Sequence, residues 1–286
     1  MSNRFPEWLK KKIPGCGDAQ GTRNLIGDLG LNTVCSSARC PNQGECYSRR
    51  TATFLILGGV CTRNCRFCAV DKGIPPPPDP MEPQKVAVAV AALGLEHAVI
   101  TSVTRDDLTD GGACHFVATI KAIRETSPEA TIEVLTPDFK GLLRPVDMIS
   151  SALPEVYNHN LETVPRLYRR VRPGAGYRRS LTLLERVKIK QPRIKTKSGI
   201  MLGLGESYNE VIKVMADLRS VDCDIITIGQ YLSPSERHLE VQEFVRPEVF
   251  QSYRDTALKM GFRNVACGPF VRSSYKAGEF VRQVQK

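Results

Sequence analysis

Long apolar runs are missing from this 286-residue chain, and no stretch approaches the roughly 20 apolar residues that a membrane-spanning helix needs. The N-terminal segment M-S-N-R-F-P-E-W-L-K-K-K also lacks the apolar core of a secretory signal. Both absences lead to the expectation of a soluble, cytoplasmic protein with no membrane partner, kept in a reducing compartment. No long low-complexity segment occurs, and 42% hydrophobic with 24% charged residues is close to the globular average, which excludes a disordered or fibrous chain. A further absence is chemical. The ten cysteines do not read as a disulfide framework, and neither of their two local groups contains a fourth cysteine. In a reducing compartment such groups are better read as metal ligands.

What is present is concentrated. Cys35, Cys40 and Cys46 form a Cx4Cx5C triplet, and Cys61, Cys65 and Cys68 form a Cx3Cx2C triplet, so six of ten cysteines fall within 34 residues. Electron-transfer clusters and structural zinc sites close their coordination with a fourth protein ligand. Three thiolates on a four-iron cube leave one iron open, and a zinc site with a distant ligand is the bland alternative for either triplet. Of the remaining cysteines, Cys114 and Cys223 read as core residues, since free cysteine packs as a small hydrophobe. Cys16 and Cys267 have no ligand spacing.

The length exceeds the usual single domain but suits an α/β barrel. Six strand-like runs, Thr53–Leu57, Ala98–Val103, Thr131–Leu135, Val156–Leu161, Gly199–Leu204 and Asp224–Ile228, alternate with helical stretches at Lys85–Leu95, Gly111–Glu125, Leu181–Lys190 and Ser207–Arg219. That order predicts parallel strands with right-handed crossovers. Six units fall short of the eight of a closed barrel, so a partial, open barrel is expected, with chemistry at the C-terminal ends of the strands. The proline run from Gly73 to Pro83 carries the chain out of the second triplet along an extended path. The segment before Thr53 and the tail after about Gly261 are expected to lie outside the repeat.

Forty basic against thirty acidic residues give a net charge of +10, which favours an anionic partner without choosing among nucleic acid, acidic protein and phosphorylated small molecules. The densest basic stretch, Tyr168 to Arg179, reads equally as a solvated loop or a docking surface.

Cys61, Cys65 and Cys68, with Phe67 before the last, resemble the signature of the radical S-adenosylmethionine (SAM) superfamily. The resemblance implies that SAM chelates the open iron and that cluster reduction yields methionine and a 5′-deoxyadenosyl radical. Gly199, Met201, Gly203 and Glu206 match the superfamily's GxIxGxxE pattern, with Met at the Ile position, where adenine is contacted. Thr104 and Arg105, followed by Asp106 and Asp107, stand where the superfamily handles the amino and ribose groups; capping of a helix is the bland reading for the aspartates. Asn158 and His159, with Asn160 and Glu162, form a polar rim suited to SAM or substrate, although a lone histidine is more often structural.

The first triplet, together with R-S-S-Y at Arg272 to Tyr275, is similar to the lipoyl synthase family. P-E-W-L-K, V-T-R-D-D-L, N-H-N-L-E-T, Y-R-R-S-L and G-P-F-V-R-S-S-Y extend the likeness over nearly the whole chain. It implies an α/β fold, a partial (β/α)6 TIM-like barrel of the radical SAM type at 51–260. An N-terminal extension (1–50) and a C-terminal extension (261–286) would carry an auxiliary cluster. It also implies two 4Fe–4S clusters, the second held by Cys35, Cys40, Cys46 and a serine of R-S-S-Y, assigned to Ser274 over Ser273. The implied reaction is sulfur insertion at C6 and C8 of an octanoyl group amide-linked to a lysine of a carrier. Implied partners are an octanoylated lipoyl domain or glycine-cleavage H protein, an electron donor such as flavodoxin or ferredoxin, and an iron–sulfur cluster carrier. The enzyme is expected to be monomeric, with Arg178 and Arg179 contacting the carrier. Biotin synthase, which also sacrifices a cluster, and a basic iron–sulfur or zinc nucleic-acid-binding module are the rival readings.

Overall fold

The computed structural model describes residues 5–11 and 19–282, so Cys16 lies outside the described residues. Ahead of the repeat stand α1 (Ala19–Asp28), β1 (Asn32–Thr33), α2 (Val34–Ser37) and α3 (Gln43–Ser48). Next come β2 (Thr53–Ile56) and a two-stranded ribbon of β3 (Val60–Cys61) and β4 (Asp71–Lys72). The alternation then runs α4 (Glu82–Leu93), β5 (His97–Ser102), α5 (Ala113–Thr126), β6 (Thr131–Leu135), α6 (Leu143–Ser151) and β7 (Val156–Asn158). It continues with α7 (Tyr168–Val171), α8 (Tyr177–Lys190), β8 (Lys195–Leu202), α9 (Tyr208–Ser220), β9 (Ile225–Gln230), α10 (Pro247–Lys259), β10 (Asn264–Gly268) and α11 (Ala277–Arg282).

The main sheet has the linear order β1-β2-β5-β6-β7-β8-β9-β10. All its neighbours are parallel except β1, which runs antiparallel to β2. Because the order does not return on itself, the sheet is an open, partial barrel wrapped by the crossover helices. All six expected strands are present. The tail beyond Gly261, expected outside the repeat, instead contributes β10, which pairs in parallel with β9 and extends the alternation by one unit. Helices α6 and α10 lie outside the four helical stretches named from the sequence.

Local chemistry sets the boundaries. The proline run has no regular secondary structure until a turn at Pro80 and Met81 leads into α4, where Pro83 sits in the first turn, the one place a helix tolerates its missing N–H. Gly94 ends that helix in the left-handed region (φ 63°). Ser207 and Glu210 form a reciprocal capping box at the start of α9. Strand β8 begins at Lys195, ahead of the expected Gly199, because the charged Lys197 inside it is buried against Glu133, with both carboxylate oxygens 2.9 Å from its Nζ. Cys223 is in the core as expected. Cys114 is not: it lies exposed in the first turn of α5, with its backbone N–H on Asp110.

Candidate functional site

A cavity of about 470 Å³ opens at the C-terminal ends of the parallel strands, the end where such folds carry their chemistry. Its apolar wall includes Leu55, Val103, Leu135, Ile200, Tyr231 and Val271, and its polar lining includes Thr104, His159, Asn160, Glu162, Arg172 and Arg272. Cys61, Cys65, Cys68 and Phe67 line it, and so do Cys35, Cys40 and Ser274.

The loop of the second triplet is fixed by its backbone. The β3–β4 ribbon pairs Cys61 with Lys72, and Gly73 N donates to Cys61 O at 3.0 Å. Thr62 donates to Thr104 O through its N at 3.0 Å and through its hydroxyl at 2.9 Å, tying this loop to the one after β5. Backbone N–H groups of Arg63 and Thr104 each point at Cys61 Sγ from 3.4 Å. Further along, Arg66 N donates to Val171 O, and His238 Nε2 lies 3.1 Å from Cys68 O. Burial pushes the Cys68 thiol up to about 11 and raises that of Cys65, while Arg172 favours the Cys65 thiolate and Cys61 disfavours it. Thiols raised by burial and by one another need a cation to ionise, which a thiophilic metal supplies.

The first triplet is built the same way. Cys35 lies in α2, Cys40 N donates to Cys35 O at 3.0 Å, and Cys46 lies in α3. Burial pushes Cys35 up to about 11 and Cys46 up to about 12, with charge repulsion among Cys35, Cys40 and Cys46 adding to it. The C-terminal segment is stitched onto this region. Asn42 Nδ2 donates to Phe270 O at 2.7 Å, Tyr275 OH to Glu45 Oε1 at 3.0 Å, and Lys11 Nζ pairs with Glu45 at 2.5 Å. Arg272 lines the cavity, where burial disfavours its charge. In R-S-S-Y, the Ser273 hydroxyl accepts from Asn160 Nδ2 at 3.0 Å. Among the described residues the Ser274 hydroxyl makes no hydrogen bond, and it faces the cavity.

The residues expected around SAM divide. Thr104, His159, Gly199 and Met201 line the cavity with Phe67. Gly199 has no space for a side chain, since a Cβ would stand 2.8 Å from both Asn160 Oδ1 and Thr227 Oγ1. Arg105, Asn158, Gly203 and Glu206 lie behind this surface. Arg105 is 2% exposed and donates to Asp107 and to Leu57 O. Asn158 donates to Glu133 at 2.9 Å. Glu206 accepts from Gly203 N at 2.5 Å and Leu204 N at 3.0 Å, so it folds the turn after β8. His159 is enclosed by Thr136 O at 2.8 Å and Ser180 Oγ at 2.9 Å, and burial with the nearby Arg172 charge pushes it down to about 4. It is a neutral ring at ordinary pH.

Glu162 and Arg172 are more central than the sequence implied. Glu162 adopts φ 65°, an uncommon backbone for a non-glycine residue, and is bridged to β8 through Gly199 O and Met201 N. Burial raises its carboxyl, opposed by Arg172, Asn160 and Arg272. Arg172 was part of a basic stretch, yet it is buried and its Nη1 donates to Asn160 O at 2.6 Å and Leu161 O at 3.1 Å. No local pattern separates it from the exposed Arg169 and Arg170. Arg179 is also engaged, donating to Asp138 at 3.1 Å, whereas Arg178 is exposed. Cys267 lines neither this cavity nor the one behind it. Among the described residues no three of His, Cys, Asp and Glu gather closely enough to hold a single metal ion, unlike a structural zinc site. A four-iron cube spreads its ligands further apart.

Residues 55–218 match the family model of the Radical SAM superfamily. A curated lipoyl synthase of Caldanaerobacter subterraneus subsp. tengcongensis is 57% identical over 277 residues, covering 97% of each chain. That of Chlorobium limicola is 55% identical, covering 96% of this chain and 94% of its own. That of Klebsiella pneumoniae subsp. pneumoniae is 54% identical, covering 96% and 86%. Among solved structures, methylornithine synthase (PylB) superposes with TM-score 0.56 at 14% identity, covering 92% of this chain and 85% of its own. SAM-bound SuiB of Streptococcus suis gives TM-score 0.59 at 11% identity, covering 86% and 54%. These two structural likenesses speak to the fold alone. The sequence relatives, at 54–57% identity over 96–97% of this chain, place it in the lipoyl synthase family of the radical SAM superfamily.

Proposed function

We propose that this chain inserts two sulfur atoms, at C6 and C8, into an octanoyl group amide-linked to a lysine of a carrier protein. The observation that carries the reading is the shared cavity: one thiol triplet, two thiols of the other and the Ser274 hydroxyl all line it. Cys61, Cys65 and Cys68 would hold a 4Fe–4S cluster with one iron left for SAM. Cys35, Cys40, Cys46 and Ser274 would hold a second. The donor set fits: soft thiols grouped in threes, of which Cys35, Cys46, Cys65 and Cys68 are raised chiefly by burial, with a free hydroxyl at the fourth position. When bound, the first cluster supplies the electron that cleaves SAM for hydrogen abstraction from unactivated carbon, and the second supplies sulfide.

The residues present do the rest. Leu55, Val103, Leu135 and Ile200 give an apolar wall suited to an alkyl chain and exclude water from it. Arg172 holds the carbonyls of Asn160 and Leu161 and so fixes Glu162, whose carboxyl is presented at the polar side with Thr104. Gly199 and Met201 supply backbone that a planar ring can approach. Asn160 positions Ser273 and leaves Ser274 unengaged. The carrier would be an acidic lipoyl domain or glycine-cleavage H protein, met by the exposed Arg169, Arg170 and Arg178. A flavodoxin or ferredoxin would deliver electrons, and an iron–sulfur carrier would reload the second site. The working state is a cytoplasmic monomer.

Metal analysis with a SAM-cleavage assay tests this reading. Anaerobically loaded protein should contain about eight irons per chain, as two four-iron cubes require, and should cleave SAM with dithionite. A colourless zinc protein would sink it.

A further inference from the structure

Behind Ser274 lies a second cavity of about 300 Å³, lined by residues that include Cys46, Thr51, Leu95, His97, Ser274 and Lys276. Ser274 is common to both cavities, Cys35 and Cys40 line only the front one, and Cys46 lines only the rear one. The candidate ligand set of the second cluster is thus the partition between two separately open spaces. We propose that the rear cavity is the path by which small iron-binding solutes, thiols above all, reach this cluster while the front cavity holds substrate. The proposal rests on reading Cys35, Cys40, Cys46 and Ser274 as that cluster's ligands.

Three observations carry it. First, the C-terminal segment is pinned rather than hinged. Its ends are held by Asn42 on Phe270 O and Tyr275 on Glu45, and its middle packs so tightly on Gly229 that a Cβ there would stand 2.1 Å from Val271 O. Access by swinging this segment aside would break all of these contacts. Second, the Ser274 hydroxyl makes no hydrogen bond among the described residues, so no protein donor or acceptor screens it from the rear cavity. Third, the rear cavity is at the small end of ligand-pocket sizes, suited to a small molecule and too small for a loop of a folded partner. Its charges are mixed. Arg49 pairs with Glu45 at 3.4 Å and Lys276 with Glu279 at 3.7 Å, and Arg50 donates to Ala92 O at 2.6 Å. With Glu96 also in the lining, three cations meet three carboxylates, which admits thiolates and hydrosulfide without trapping them.

The test isolates the second cluster in a variant carrying Cys61→Ala, Cys65→Ala and Cys68→Ala. Iron release to 2,2′-bipyridine is followed by the colour of the ferrous complex, anaerobically with dithionite, with and without a saturating octanoyl-lysyl peptide in the front cavity. Thr51→Trp and Leu95→Trp, each filling the rear cavity from a different wall, should slow release about ten-fold, while Thr51→Ser and the peptide should leave it unchanged. Release that ignores both tryptophans, or that the peptide alone stops, overturns the rear path. Failure of the triple variant to hold about four irons would instead refute the two-cluster reading beneath it.

Discussion

Gly229 and His159 illustrate how single residues set this site. A side chain at Gly229 would collide with the Val271 carbonyl, so Gly229→Ala must displace the segment carrying Ser273 and Ser274. Overpacking of this kind costs roughly 1–3 kcal/mol; a lowered Tm and loss of about half the bound iron should appear together, whereas a wild-type iron content would show that the segment is not held there. His159 stays neutral in the folded protein down to about 4, whereas an unfolded histidine protonates near 6.5. Its neighbours Arg172 and Arg63 oppose the charge and Asp138 favours it. The unfolded state therefore binds the extra proton as pH falls from 6.5 towards 4, and stability drops across that window by up to about 3 kcal/mol. Denaturant melts between pH 7 and pH 4.5 should show the loss, and His159→Asn should flatten it; an unchanged slope in the variant would assign the loss to other groups. At this scale the two triplets were legible because ligand chemistry imposes spacing, whereas the R-S-S-Y serines were singled out only by the family resemblance. Arg172 and His238 were not legible, because their side chains match those of ordinary surface residues and only the fold brings them to the site.

Among the elements, β8 shows what pattern reading misses. Its apolar half was recognised, but its K-T-K start reads as solvent-exposed, whereas Lys197 is 1% exposed inside the barrel. There it faces the wholly buried Glu133, which burial alone would raise but which Lys197 and His97 hold down at about 2. Lys197→Met should therefore destabilise by roughly 3–5 kcal/mol, the usual cost of leaving a buried charge without its partner. A double change with Glu133→Gln should recover much of it in thermal melts; equal loss in single and double variants would point to packing instead. Strand β10 escaped notice for a different reason. N-V-A-C-G is short and follows Arg263, so only its pairing with β9 identifies it. The alternating units from β2 to β9 were legible because buried parallel strands read as compact apolar runs.

For the whole molecule, the fold collects strand ends, the loop of the second triplet and the C-terminal segment around one cavity, and leaves Arg169, Arg170 and Arg178 exposed outside it. Arg178 is exposed, while Arg179 is committed to Asp138. Arg178→Ala should raise KM for a folded acidic carrier about three-fold at low salt, with little change in kcat or for a short octanoyl-lysyl peptide; an equal effect on peptide and carrier would place Arg178 elsewhere in the reaction. Net charge alone left nucleic acid, protein and phosphate partners open, and the relatives and the cavity chemistry narrowed that choice. The central claim is that the two triplets have different tasks. Anaerobic turnover of an octanoyl-lysyl peptide, with 5′-deoxyadenosine and sulfur-containing product measured in parallel, tests it directly. Cys61→Ala should abolish both products, and Cys35→Ala should keep 5′-deoxyadenosine while losing sulfur insertion. Sulfur insertion that survives Cys35→Ala would contradict the account.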